Sequence, residues 1–220
     1  QNSIRNVLSA MVGQMGGILV NLLARVFFLH YLNQTYLGLN GLFTNVLTML
    51  SLVELGVGPA MAYSLYKPLA DHDTEKLKSH MHFYKKAYIT IGLAIAVLGL
   101  LFLPFYTVFM DEVPDIPHLN VIYLLFVANT VVSYFYSYKR SLIVCDQKKY
   151  IETTVHYGAY FILNVVQIIF LALTKNYVVF LVLQVLSTWL ENLILAKKAD
   201  KLYPFLRDKD VKPMAKEDSQ

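Results

Sequence analysis

The chain has 220 residues, of which 56% are hydrophobic and 15% charged, and its net charge is +4. An average soluble domain carries about 25% charged residues. A mean hydropathy of +0.48 with several long uncharged runs therefore points to a polytopic membrane protein, not to a soluble fold or a nucleic-acid binder. The one cysteine, Cys145, excludes an internal disulfide and leaves the redox compartment open.

Six runs qualify as transmembrane helices, each offering the ~20 residues that a bilayer core of about 30 Å requires. The first, Val7–Leu32, is too long for a signal-peptide core and has no small-residue cleavage site. It carries Gln14, Gly17, Asn21 and Arg25 on one helical stripe. A charge in hydrocarbon costs roughly 2.5 kcal/mol or more, so Arg25 needs a partner, a hydrated cavity or a route to the interface. The second run, Leu37–Tyr66, contains Gly56, Gly58 and Pro59, which predict a kink or break. Its polar positions are Asn40, Thr44, Thr48 and Ser51, with Glu54 nearby. The third, Tyr88–Phe109, offers nothing more polar than glycine between Ile91 and Leu103 and reads as a packing or lipid-facing helix. Asn120–Ile143 carries Asn129, Ser133, Tyr136 and Arg140 in line. Thr153–Leu173 carries Thr153, Tyr157, Tyr160, Asn164 and Gln167, with His156 one step aside. Tyr177–Ala196 carries Gln184, Thr188 and Glu191.

The connections set the orientation. Of the 19 Lys and Arg residues, 17 precede the first run, follow the second, sit at the junction of the fourth and fifth, or lie in the tail after the sixth. Only Lys175 lies in a connection on the other side, where the loops are short and the middle one holds Asp111, Glu112 and Asp115. The positive-inside rule then predicts both termini in the cytoplasm. Such loops leave no room for an extramembrane catalytic domain, and G-x-S-x-G, P-loop, H-E-x-x-H and C-x-x-C motifs are absent. His72, His80 and His82 sit in a Lys-rich connection without cysteine and read as solvated surface residues, not metal ligands.

A single Asn, Gln, Ser or Thr in a membrane helix commonly serves as interhelical hydrogen-bond glue, worth about 0.6 kcal/mol. Five aligned stripes, with Arg25, Glu54, Glu191 and His156 inside spans, predict in addition a hydrated path or cavity. Arg25 either snorkels to the outer interface or meets an anion there. Arg140 serves either the inner mouth of a cavity or a plain positive-inside role. Glu54 either pairs with a basic group or caps the broken second helix.

Four stretches carry a family resemblance. They are ARVFFLHYLNQTYLGLNGLF around Arg25–Gly38, LSLVELGVGPAMAYSLYKPLA over Leu50–Ala70, YLLFVANTVVSYFYSYKRSLIVCDQKKY, and KLYPFL. The first resembles the end of the first helix and start of the second in bacterial polysaccharide flippases. The second is similar to their acidic-Leu-Gly-x-Gly signature, and the others are similar to later segments of the same group. The nearest likeness is to the Wzx-like oligosaccharide flippases of the MOP superfamily, and it spans nearly the whole chain.

What the resemblance implies is an all-α polytopic membrane helix bundle, residues 1–196, forming the N-terminal six-helix lobe of a two-lobe transporter. Residues 197–220 become a basic cytoplasmic tail or linker toward a C-terminal lobe, and a chain opening on Gln1 is expected to lack its first few residues. The implied activity is movement of undecaprenyl-diphosphate-linked oligosaccharide across the bacterial cytoplasmic membrane for capsule or exopolysaccharide synthesis. Alternating access through a cationic cavity would do this with no bond made or broken and no cofactor, proton or sodium coupling being left open. Implied partners are the lipid-linked oligosaccharide, membrane lipid, the second lobe, and the polymerase and glycosyltransferases of the same synthesis. Arg25 becomes the diphosphate contact and Arg140 a second candidate near the inner gate. Gln14, Asn21, Asn40, Glu54, Asn129, Tyr160, Asn164 and Gln167 become the substrate wall. The alternatives are a cation-coupled exporter of the same fold working through Glu54 and Glu191, and a six-helix binding subunit with a separate energising partner. A membrane glycosyltransferase or polymerase is disfavoured by the lack of a large outer loop and of clustered loop carboxylates.

Overall fold

A computed structural model describes residues 2–51, 56–109 and 114–208, and within them the chain is all-α. Helices α1 (Asn2–Tyr31), α4 (Thr74–Phe102), α7 (Lys149–Thr174) and α8 (Tyr177–Leu202) are each long and apolar enough to cross a membrane. Helices α5 (Leu119–Tyr134) and α6 (Ser137–Cys145) reach that length only as a pair, bent by 45°. Helices α2 (Gln34–Leu50) and α3 (Val57–Ala70) have 17 and 14 residues, each short of a full span. The described residues therefore hold four candidate spans, or five with the bent pair, where six were expected.

The breaks explain the difference. Gly56 precedes α3 with φ of 94°, a left-handed conformation that costs glycine little, so the predicted break in Leu37–Tyr66 is present. The break in Asn120–Ile143 was not predicted. There Phe135 is extended and Tyr136 takes φ of 69° without any glycine or proline. Such a residue costs on the order of 1 kcal/mol. The Ser137 hydroxyl donates to the Ser133 carbonyl at 2.6 Å, satisfying an acceptor that the break frees. The expected single stripe Asn129–Ser133–Tyr136–Arg140 is thus divided between two helices.

Tyr88–Phe109 is corrected at both ends. Helix α4 starts at Thr74, where the Asp73 side chain accepts the Lys76 amide at 3.0 Å. It stops at Phe102, two residues before Pro104, and a 3₁₀ turn follows at Tyr106–Phe109. His80 and His82 consequently lie on a helix and not in a connection. His80 is buried, its Nδ1 2.8 Å from the Lys76 carbonyl oxygen, and His82 is exposed. Among the described residues no three ligating side chains come together as a metal site.

Two apolar cores stack along the bundle. One joins Phe28, Leu39, Phe43, Tyr106, Ile122, Tyr123, Val127, Leu171, Tyr177 and Leu181. The other joins Met61, Leu65, Met81, Tyr84, Tyr88, Ile95, Tyr134, Leu142, Ile143 and Ala199. Helix α1 lies outside both for most of its length and packs along α7, and none of its most apolar window is buried. Its hold on α7 is a close approach of glycines to one ring: a Cβ at Gly13 would lie 2.1 Å from Tyr157, and one at Gly17 2.9 Å.

Both ends of the described chain meet at one end of the bundle. The Asn6 side chain accepts the Tyr150 amide at 2.7 Å and donates to the Gln147 carbonyl at 2.9 Å. The Tyr203 hydroxyl donates to Asp146 at 2.5 Å. Burial, reinforced by that carboxylate, raises the Tyr203 phenol above its ordinary range.

Candidate functional site

Between the two cores runs a polar seam centred on α8. Along α5 the apolar contacts at Val127 and Tyr134 flank Asn129 and Ser133, and along α8 those at Leu181 and Ala199 flank Gln184, Thr188 and Asn192. The three α8 residues are spaced by four and form one stripe. Gln167 Nε2 donates to Gln184 Oε1 at 3.2 Å and to the Phe180 carbonyl at 3.0 Å. The Thr188 hydroxyl donates to Asn129 Oδ1 at 2.7 Å, and Asn192 Nδ2 donates to the Val132 carbonyl at 2.8 Å. These bonds tie α7 to α8 and α8 to α5, the glue role of polar residues in membrane bundles.

The seam ends in a charged cluster where α6, α7 and α8 meet. Arg140 Nη2 lies 2.7 Å from Glu191 Oε1 and 3.2 Å from Asn192 Oδ1. His156 Nδ1 lies 3.2 Å from the same Glu191 oxygen. The Glu191 side chain is only 12% exposed, and both neighbours make it tolerable there. The Arg140 Nε is buried with no hydrogen-bond partner. Arg140, expected as an anion contact or positive-inside residue, is the counter-ion of Glu191.

Two surfaces leave polar groups open. A cavity of about 380 Å³ is framed by α2, α5 and α8 and presents Asn40, Thr44, Thr48, Ser51, Asn129 and Gln184. Among the described residues its lining carries amides and hydroxyls but no charge. The α2 groups bond within their own helix: Thr44 to Asn40 Oδ1 at 3.4 Å, Thr48 to the Thr44 carbonyl at 2.7 Å, and Ser51 to the Leu47 carbonyl at 2.9 Å. Their remaining lone pairs face the cavity. A second, shallower cavity of about 210 Å³ between α1 and α7 is lined by Gln14, Gly17, Asn21, His156, Tyr157 and Tyr160.

The expected site residues thus separate into groups. Asn40 and Asn129 share the first cavity, and Gln14, Asn21 and Tyr160 share the second. Asn164 and Gln167 are buried, Asn164 donating to the Tyr160 carbonyl of its own helix at 2.8 Å and Gln167 bonding across to α8. Arg25 is exposed on α1, lines neither cavity and makes no ion pair with the described residues. Glu54 lies outside the described residues. Sequence reasoning overlooked Asn192, although its spacing from Thr188 and Gln184 signals it. No family model, characterised protein or solved structure matches the chain.

Proposed function

We propose that this chain forms the substrate-facing lobe of a flippase for lipid-linked oligosaccharide in a bacterial cytoplasmic membrane, both termini facing the cytoplasm. The observation that carries the proposal is the cavity whose described lining offers amides and hydroxyls and no charge. Sugar hydroxyls exchange hydrogen bonds with such groups, which in hydrocarbon would otherwise be left unsatisfied. Membrane crossings by α1, α4, α7, α8, the bent α5–α6 pair and the α2–α3 pair make six spans, with the basic residues gathered on one side. Arg25 supports the reading from α1: an exposed guanidinium that makes no ion pair with the described residues suits a bidentate diphosphate contact. Its absence from the cavity lining divides the work, with the sugar on α2, α5 and α8 and the diphosphate on α1. The second lobe, the polymerase and the glycosyltransferases are the partners this activity requires. The reaction is transport and breaks no bond.

The test uses cells whose surface polysaccharide depends on the protein. Asn40→Leu with Thr44→Val removes groups that cross no helix interface and should slow export on the order of tenfold. Arg25→Ala and Arg25→Lys should each lower surface polymer at normal protein level. Normal polymer in all these variants overturns the proposal. The Arg140–Glu191–His156 cluster favours one other reading, a cation-coupled exporter of the same fold. In that case Glu191→Gln abolishes ion-driven drug efflux and leaves polysaccharide untouched.

A further inference from the structure

A third cavity, of about 320 Å³, lies where the chain ends meet, between α4, the start of α6 and the 3₁₀ turn Pro204–Arg207. Helix α4 contributes Lys78, His82 and Lys85 from one face, α6 contributes Lys139, and the turn contributes Arg207. Orienting a membrane protein requires only that basic residues lie on the correct side. It does not require that three elements distant in sequence aim them into one cleft.

The charges there are unequally compensated. Lys78 lies 2.9 Å from both Glu75 and Asp208, and Lys139 lies 2.6 Å from Asp200. Lys85, Arg207 and His82 have no carboxylate within ion-pair distance among the described residues. Met81, Phe205 and Leu206 complete the lining with apolar surface. The frame is held in place from behind. Buried Tyr203 bonds Asp146, Lys148 pairs with the same carboxylate at 2.6 Å, and the Lys148 ammonium sits 5.3 Å from the centre of the Tyr203 ring. The turn that carries Arg207 is therefore anchored to the α6–α7 junction.

We propose that this cleft binds the phosphate of an anionic membrane lipid. The Arg207 fork and the Lys85 ammonium take the phosphate oxygens, and Met81, Phe205 and Leu206 cover the glycerol and first methylenes. Asp208 competes with the phosphate for Lys78. A soluble phosphate shares the polar half of this chemistry and makes no use of the apolar wall. The proposal rests on the chain being a membrane protein and not on what it transports, so a failed transport assay leaves it standing.

The full chain, purified in neutral detergent, is titrated with phosphatidylglycerol, phosphatidylcholine or glycerol phosphate, and binding is followed by thermal unfolding and native mass spectrometry. Phosphatidylglycerol alone should raise the unfolding temperature and remain bound. Each basic residue near an anionic surface is worth roughly fivefold in affinity, so Lys85→Gln with Arg207→Gln should weaken binding ~30-fold. Asp208→Asn should tighten it. Lys197→Gln with Lys198→Gln removes equal charge from exposed positions of α8 and should leave binding unchanged. Phosphatidylglycerol binding that survives Lys85→Gln with Arg207→Gln, or falls equally in the Lys197/Lys198 pair, overturns the site. Glycerol phosphate binding as tightly as the lipid overturns the lipid assignment.

Discussion

Two glycines three residues apart on α1 offer a test with an internal control. A Cβ added at Gly13 would lie 2.1 Å from Tyr157 Cδ2, 2.4 Å from Cε2 and 2.8 Å from Cγ, whereas one at Gly16 meets nothing within 4 Å. Helix propensity changes alike at both positions, favouring alanine by about 0.5–1 kcal/mol. Gly16→Ala should therefore be neutral or mildly stabilising. At Gly13 the clash includes Cγ, which turning the ring about its own axis does not move. Relief requires a new Tyr157 χ1 rotamer, which withdraws the ring from Gly17, or an outward shift of α1. Overpacking of this kind costs about 1–3 kcal/mol, so Gly13→Ala should be destabilising overall. Thermal unfolding of the purified protein reads both variants, and repeating them in a Tyr157→Ala background completes a double-mutant cycle. There the Gly13→Ala penalty should vanish, giving a coupling of about 1–3 kcal/mol. Equal behaviour of the two glycines, or a penalty that persists without Tyr157, would refute the close packing of α1 on α7.

The seam makes two further predictions. Arg140→Gln and Glu191→Gln should each lower stability by about 1–3 kcal/mol, and the double variant should cost less than the sum, because each single change strands a charge in a half-buried site. Strict additivity in chemical unfolding would dissolve the pair. Asn192→Leu removes the donor to the Val132 carbonyl and the acceptor for Arg140, and should cost about 1–3 kcal/mol in the same assay. Thr44→Val, whose hydroxyl only reaches Asn40 on its own helix, should cost less than ~0.5 kcal/mol. A Thr44→Val loss as large as that of Asn192→Leu would place α2 within the packed frame.

Hydropathy alone located one end of each of α1, α7 and α8 closely and cut the other short where charged residues carry the helix past the apolar run, at residues 2–6, 149–152 and 197–202. The Gly56 break was legible since glycine accepts the left-handed backbone found there. The break at Phe135–Tyr136 was not, because a tyrosine takes that conformation only when its surroundings impose it. The start of α4 was obscured by its lysines, although Leu77, Met81, Tyr84 and Tyr88 bury one helical face there. Pairwise chemistry was the least legible. Nothing in sequence spacing joins Arg140 to Glu191, since the two sit on different helices.

The polar residues that the sequence places in parallel stripes do unlike work, and their hydrogen-bond directions separate them. On α5, α7 and α8 several side chains bond across interfaces, from Gln167 to Gln184, Thr188 to Asn129 and Asn192 to Val132, while Ser133 and Asn164 bond within their own helices. Groups so engaged hold these three helices together, and two of them, Asn129 and Gln184, also line the open cavity. On α2 the Thr44, Thr48 and Ser51 hydroxyls bond back within their own helix, and their free lone pairs face an open cavity. On α1, Gln14 and Asn21 line a shallow cavity, and Arg25 makes no ion pair with the described residues. Those groups remain available for a ligand. On the proposed reading, the ligand-facing groups are those of α1 and α2 together with Asn129 and Gln184, whose bonds across the interfaces also hold the frame.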